Sequence, residues 1–225
     1  MNIDFTPFFK KYEELLGTVE GVFERVKSEY PECVKCEVGC SDCCHALFDL
    51  TLIEVLYINH HFNKKFEGKE KAALIEKANR ADRNTYKIKR KAYKDFESGK
   101  SEDEILVEMA EERVRCPLLN DRDMCDLYEW RPITCRFYGI PTSIGGTGHT
   151  CGKSGFVKGE QYPTVHLDII QNKLYEISDE LVKAIESKYT KMADMLVPLS
   201  MAILTDYDEE YLGIGSDEDK EKKNE

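Results

Sequence analysis

The chain has 225 residues and a mass of 26.0 kDa, enough for one large domain with its own hydrophobic core. Its net charge of -11 argues against a generally basic nucleic-acid-binding surface, and no apolar run approaches the roughly 18 residues of a membrane span. The first residues lack the basic start and cleavage site of a secretory signal, so we expect a cytoplasmic protein whose nine cysteines stay reduced.

The N-terminal segment predicts an amphipathic helix. Apolar residues recur at three- and four-residue steps from Phe5 to Val26, which is the spacing of one helix face. Pro31 is expected to end the helix just before the first cysteine.

Two capping-box signatures predict further helix starts. Thr51 with Glu54, and Ser101 with Glu104, each place an acid three residues after a hydroxyl residue and before an apolar stretch. A long helix is expected between them, over residues 69–98.

A basic stretch covers residues 64–100, with thirteen Lys or Arg against six acidic residues. The favoured interpretation is a solvated helix face with internal ion pairs. The alternative is a docking surface for RNA, an acidic partner or anionic lipid, so nucleic-acid binding is a minor prediction.

The amino-acid composition of the chain changes from Cys116 onward. Glycines crowd residues 139–159, which predicts irregular structure, and a helix is expected over 167–196, up to Pro198. The sequence therefore predicts a mainly α fold, with room for short strands within 125–170. We expect one helical domain over residues 1–212 and a disordered acidic tail over 213–225.

The stretch "CVKCEVGCSDCCH" points to metal binding. Cys33, Cys36, Cys40 and Cys43 follow one another at spacings that let pairs of thiolates bind one metal centre. Because the side chains of successive residues diverge, Cys43 and Cys44 more naturally face different metals of a cluster, or different sites.

A second group of cysteines lies downstream. Cys116, Cys125 and Cys135 occur in "CPLLNDRDMCDLYEWRPITCRF", and Arg131 and Arg136 flank the last of them. Two arginines near thiolates could offset their charge and could also bind a substrate carboxylate or phosphate. We therefore take both arginines as candidate cofactor- or substrate-binding residues, with surface ion pairs as the alternative.

These motifs resemble the YkgJ-type cysteine-cluster family of zinc- or iron-chelating domains. The resemblance covers roughly residues 33–151, through "CEVGCSDCCH", "CPLL" and the pattern C-x-L-Y-E-x-R-P-x-x-C-R. It implies that the metal ligands include Cys40, Cys43, Cys44, Cys116, Cys125 and Cys135. The family's first motif is usually CxxCxxCC, whereas three residues separate Cys36 from Cys40 here. Cys36, Cys33 or both could therefore fill the first position, and Cys33 is the weaker candidate.

The spacing of the cysteines narrows the choice of metal. The downstream intervals do not form a second compact zinc knuckle, and the adjacent cysteines suit a multi-iron cluster, so an iron–sulfur cluster of the 4Fe–4S type is favoured over zinc. Cys151 suits a last ligand, and His45 is a minor alternative to a thiolate.

Several functions remain open at this stage. There is no phosphate loop, no dinucleotide-binding glycine fingerprint and no HExxH motif. The favoured function is an iron–sulfur protein with an electron-transfer or redox role and an unidentified redox or protein partner. The alternatives are a zinc-stapled structural or binding module, metal storage or delivery, and methyl transfer as in flagellin lysine-N-methylases, which carry a related cysteine pattern.

Overall fold

The computed structural model of the chain describes residues 3–215, and the predicted mainly α fold is confirmed there. The seven α-helices of this region are α1 (Thr6–Glu29), α2 (Leu52–Lys65), α3 (Gly68–Glu97), α4 (Glu102–Glu111), α5 (Ile133–Phe137), α6 (Leu167–Ala184) and α7 (Leu199–Leu204). The strands are β1 (Asp49–Thr51), β2 (Thr142–Ile144), β3 (Thr147–His149), β4 (Val165–His166) and β5 (Leu196–Pro198). Short 3-10 turns occupy Asp42–His45, Tyr128–Trp130 and Thr190–Asp194.

Helix α2 lies at the centre of the fold. Every residue from Leu52 to Ile58 is buried, because the sequence of this helix is apolar on nearly all sides. One side of α2 packs against α1, α5 and α6 in the larger core, and the other packs against α3, α7 and residues 118–127 in a second core. Trp130 packs against both cores, so the cysteine-rich loops are anchored between them.

Glu54 is a buried carboxylate that joins three segments. It completes the predicted capping box by accepting hydrogen bonds from the Thr51 backbone N–H and hydroxyl, both at 3.1 Å. Its other oxygen accepts a bond from the Ile133 N–H at 3.2 Å, at the start of α5, and lies 3.5 Å from the Tyr12 hydroxyl of α1. Burial raises the pKa of Glu54 despite these donors.

The strands form two small sheets. β1 pairs antiparallel with β5, with Asp49 opposite Pro198 and Thr51 opposite Leu196, so α2 and α7 begin at opposite ends of this strand pair. The second sheet has the order β3-β2-β4: β2 and β3 form a hairpin, and β4 pairs parallel to β2. All strands have two or three residues, so the sheets connect the helices and do not form a layer.

The single helix predicted over 167–196 is wrong beyond Ala184. Glu186 adopts a left-handed conformation with φ of 51°, and the Ser187 N–H donates back to the Val182 carbonyl at 3.2 Å, which is the geometry of a helix C-cap. The Ser187 hydroxyl then donates to the Leu212 carbonyl at 2.6 Å. The helix therefore ends at a contact with a distant segment, although the helical spacing of apolar residues continues beyond this point in the sequence.

The first three residues of the predicted tail, 213–215, lie in the part of the chain that the structure describes. Gly213 accepts a hydrogen bond from the Lys188 N–H at 2.9 Å, and Ile214 packs against the larger core. The rest of the predicted tail, from residue 216, lies outside the described residues. Among the helices of residues 3–215, none combines the length and apolar character needed to cross a bilayer.

The basic stretch forms α3 and its flanks. Lys89 binds Asp49 at 2.6 Å, and Lys91 lies 3.8 Å from Glu108 of α4. Arg80 also lies 3.7 Å from Glu76 one turn away, and Lys100 pairs with Glu108, so four cations of the stretch are ion-paired within the protein. Whether the remaining cations bind a partner stays a prediction.

The ring of His61 leads to a pH prediction. It stacks on Trp130 with the ring centroids 4.7 Å apart, and burial lowers the pKa of His61 from 6.5 to about 4. Because the unfolded chain then binds the proton more readily than the folded one, the stability from this group is present above pH 6.5 and is lost as pH falls toward 4. We expect His61→Phe to make the urea-unfolding midpoint less dependent on pH between 6.5 and 4. The exposed His149→Gln is the control, and an unchanged pH profile for His61→Phe would contradict this interpretation.

Candidate metal centre

Backbone hydrogen bonds join the two cysteine-rich segments. The Cys116 N–H donates to the Cys44 carbonyl at 2.7 Å, and the Val114 N–H donates to the His45 carbonyl at 3.0 Å. Next to them, Ala46 and Arg113 form an antiparallel bridge. The segment 42–46 is thereby held against 113–116, although about seventy residues separate them in the chain.

Five of the predicted ligands line a single cavity of about 60 Å³. They are Cys43, Cys44, Cys116, Cys125 and Cys135. We call this group the five-thiol cavity. Its remaining walls are mainly apolar and include Phe48, Leu118 and Leu127, so the thiols face a space that is poor in competing polar groups.

Each element around the cavity contributes its thiols for a local reason. The 3-10 turn at Asp42–His45 carries Cys43 and Cys44. Cys116 and Cys125 lie on a tight loop, closed by the bridge between Leu119 and Cys125. Cys135 is the third residue of α5. The Ile133 N–H at the start of this helix donates a hydrogen bond to Glu54.

The thiols of the cavity interact with one another. Hydrogen bonds from Cys135 and Cys44 lower the pKa of Cys43 far below that of an ordinary thiol. The same contacts raise the pKa of Cys44 and Cys135, together with burial. Burial raises the pKa of Cys116 to about 12. The thiols of Cys43, Cys44 and Cys135 are therefore close enough to share hydrogen bonds.

The other predicted ligands form a second group beside the first. Burial raises the pKa of Cys36 to about 11, with further contributions from the charges of Cys40, Cys151 and, from the five-thiol cavity, Cys43. The Cys151 Sγ lies 3.5 Å from the Asp42 carboxylate, and the Tyr138 hydroxyl donates to the same oxygen at 3.1 Å. We call Cys36, Cys40, Cys151 and Asp42 the three-thiol group.

Cys33 and His45 have other surroundings. Cys33 packs against the larger core, and its carbonyl accepts a hydrogen bond from the Gly155 N–H at 2.8 Å. A Cβ at Gly155 would lie 2.9 Å from the Glu32 carbonyl oxygen, so glycine permits this close approach. The His45 Nδ1 lies 3.0 Å from the Ser41 carbonyl. Of the two candidates for the first ligand position, Cys36 is the one near other thiols.

The two arginines have different environments. Arg136 is only 6% exposed and binds Glu20 and the carbonyls of Arg131 and Glu129, so its donors are used in holding the loop before α5. Arg131 lines the five-thiol cavity, with its guanidinium 4.0 Å from the Tyr128 ring centroid. A role of either arginine in binding a substrate or cofactor stays a prediction, and Arg131 is the better placed of the two.

The residues present fit a thiolate-bound metal by their chemistry. All nine cysteines are free, and five of them line one cavity. Within residues 3–215, however, no group of three or more His, Cys, Asp or Glu side chains is arranged to hold an ion as it stands. A change of χ1 rotamer moves a cysteine sulfur by about 3 Å, and metal sites commonly close only when the metal binds.

Sequence reasoning missed three residues around the thiols. Asp42 lies between Cys40 and Cys43 in the sequence, and this position among the thiols is the signal that could have identified it. Tyr138 and Glu54 carry no local motif that connects them with the site, because both reach it through contacts between distant segments.

A helical scaffold that gathers thiols from distant segments around one cavity defines a cysteine-cluster protein. The chain belongs to the CxxCxxCC family, whose model matches residues 33–152 and is described as "Putative zinc- or iron-chelating domain". The match covers more than half of the 225 residues and supports metal binding. No curated protein and no solved structure matches the chain.

Proposed function

We propose that the five-thiol cavity holds an iron–sulfur cluster of the 4Fe–4S type and that the protein transfers electrons. The observation that carries this proposal is that five thiols line one cavity. A structural zinc ion takes four ligands in a compact site, usually as two CxxC pairs. Four thiolates also ligate a 4Fe–4S cluster, so the spacing of the thiols decides between the two: the adjacent Cys43 and Cys44 diverge and the downstream cysteines form no second CxxC pair, which suits a polynuclear centre.

The surroundings of the cavity also support a redox role. Its walls are mainly apolar, and Arg131 and Arg115 bring positive charge to its lining. A bound cluster would supply one-electron transfer, and burial, net charge and hydrogen bonds to sulfur set the potential of such centres. The chain's own contribution is thus ligation, a mainly apolar surrounding and offsetting of thiolate charge.

Anaerobic purification followed by iron, zinc and acid-labile sulfide analysis tests this function. We expect a brown protein with visible charge-transfer absorption that bleaches on reduction. Colourless protein with stoichiometric zinc and no labile sulfide would instead support the zinc-stapled module.

Arg131 provides a second test. Arg131→Ala removes a guanidinium from the cavity lining and no thiol, so we expect the metal content to be unchanged. The lost positive charge should make the centre harder to reduce, which lowers its potential by an amount on the order of tens of millivolts. Spectroelectrochemical titration measures this shift. The matched control is Arg122→Ala, an exposed arginine on the same loop as Cys125. Loss of metal from Arg131→Ala would show that the arginine supports the ligands themselves.

A further inference from the structure

We propose that one face of α3 docks an acidic electron-transfer protein. The face is formed by four exposed cations, Arg83, Lys87, Arg90 and Lys94, and we call it the cationic face. This docking site rests on the proposed function, since it is the place where a redox partner binds. It adds the chemistry of that partner, a small one-electron donor with a carboxylate-rich surface.

The four cations lie along one line of the helix. They follow one another at intervals of four, three and four residues, which is the spacing of a single α-helical face. At the usual rise per residue, the distance along the helix from Arg83 to Lys94 is about 16 Å. The cations therefore form a continuous strip on the surface.

No acidic side chain neutralises this strip. Residues 83–94 include six Lys or Arg and no Asp or Glu, in a chain whose net charge is -11. Other cations of α3 pair with acids, as Arg80 does with Glu76 and Lys89 with Asp49. Among residues 3–215, none of the four cations of the face has an ion-pair partner. The strip is therefore complementary to an anionic surface.

Two tyrosines border the cationic face. Tyr86 and Tyr93 are 63% and 61% exposed, and each follows an arginine of the face by three residues. This spacing places both rings on the same side of the strip. Tyrosine and arginine are enriched where protein partners bind, because the ring buries a large apolar area while its hydroxyl still forms a hydrogen bond.

The opposite side of α3 lines the five-thiol cavity. Ala81 and Thr85 are buried and belong to the cavity wall. Two residues along an α-helix correspond to a rotation of about 200°, so Arg83 lies on the side away from both of them. The thickness of one helix, about 10 Å, thus separates the cationic face from the cavity. Because electron transfer slows steeply with distance, this is a suitable place for a redox partner. The partner loses one electron and is oxidised, the centre in the cavity is reduced, and no covalent bond forms or breaks.

The limits of the face favour a small protein over a nucleic acid. Glu76 and Glu97 lie near the same line of the helix, beyond the two ends of the strip. Helix α4, which packs beside α3, has five acids among its ten residues. A single-stranded nucleic acid follows a continuous basic groove, whereas electron-transfer complexes bury a small area with complementary charges. The bounded strip therefore suits an acidic protein.

Binding of a plant-type 2Fe–2S ferredoxin, an acidic one-electron carrier, tests the cationic face. Dissociation constants are measured by fluorescence anisotropy for the anaerobically purified full-length wild type and for one variant that combines Arg83→Gln, Lys87→Gln, Arg90→Gln and Lys94→Gln. We expect the wild type to bind at low salt and to release ferredoxin at about 0.5 M NaCl, where charge interactions are screened. The variant should bind at least about tenfold more weakly than the wild type at low salt.

The control variant has the same change of net charge on other elements. Lys10→Gln, Lys158→Gln, Lys173→Gln and Lys191→Gln remove four exposed lysines outside α3. This variant should bind ferredoxin within about twofold of the wild type. Equal weakening of both variants would overturn the proposal, because overall charge and not the cationic face would then control binding. Unchanged binding by the α3 variant would overturn it as well.

Two further probes separate the classes of partner. Oligouridine RNA and vesicles of phosphatidylserine with phosphatidylcholine are titrated in the same way. If either binds the wild type more tightly than ferredoxin does, and loses binding in the α3 variant, the face serves a nucleic acid or a membrane and the acidic-protein partner is wrong.

Stopped-flow mixing with reduced ferredoxin distinguishes this proposal from the proposed function. Binding through the cationic face without electron transfer would support the docking surface and contradict the electron-transfer function. Electron transfer that is equally fast in the α3 variant and the wild type would support that function and overturn the docking surface.

Discussion

Replacing Cys135 by serine is expected to remove the metal from the five-thiol cavity and to destabilise the fold by about 4 kcal/mol, a size typical of a lost metal. Cys135 is half-buried, contacts the Cys43 thiol and lies on α5, whose residues pack into the larger core. Cys43→Ser should have a similar effect, since Cys43 lies on the opposite segment of the same cavity. Metal analysis and urea unfolding of anaerobically purified variants measure both effects.

Cys33→Ser is the control for this pair. Cys33 packs on the core away from the cavity lining, so we expect its variant to keep the cavity metal. Full metal content in both Cys43→Ser and Cys135→Ser would contradict the assignment of ligands. A loss confined to Cys33→Ser would move the site toward the start of the cysteine run.

Replacing Glu54 by alanine is expected to lower the free energy of unfolding by about 3 kcal/mol or more. The change leaves the N–H groups of Thr51 and Ile133 and the Tyr12 hydroxyl without their buried acceptor, and each such group costs about 1–3 kcal/mol. The start of α5 would also loosen, so weaker metal binding should accompany the loss of stability. Urea unfolding and metal titration measure the two effects.

The chain contains a matched control for this prediction. Ser101 and Glu104 form the same capping box at α4, but on the surface, where water can replace the lost acceptor. Glu104→Ala should therefore cost only about 0.5–1 kcal/mol and leave metal binding unchanged. Equal costs for the two variants would show that Glu54 acts as an ordinary helix cap.

Local patterns in the sequence predicted most of the helices. Both capping boxes form as expected, because hydroxyl and acid lie three residues apart and bond within one turn. The prediction of one helix over 167–196 was wrong because the end of this helix depends on a non-local contact. Its end at Ala184 depends on the Ser187 hydroxyl bonding the Leu212 carbonyl, a contact between segments that no local pattern reports.

The cysteines show the same difference between what local sequence patterns predict and what contacts between distant segments decide. Their number, spacing and neighbouring motifs were enough to identify a metal-binding chain and to relate the run at 33–45 to the segment after Cys116, because thiol chemistry and ligand spacing are properties of the sequence. Only the tertiary structure placed five thiols around one cavity and Cys36 with Cys151 and Asp42. Likewise, only folding buried Arg136 against Glu20, since burial and partners across distant segments arise from packing. The sequence by itself thus determined which atoms are available to bind metal, and the packing of α2, α5 and the connecting loops decided which of them meet.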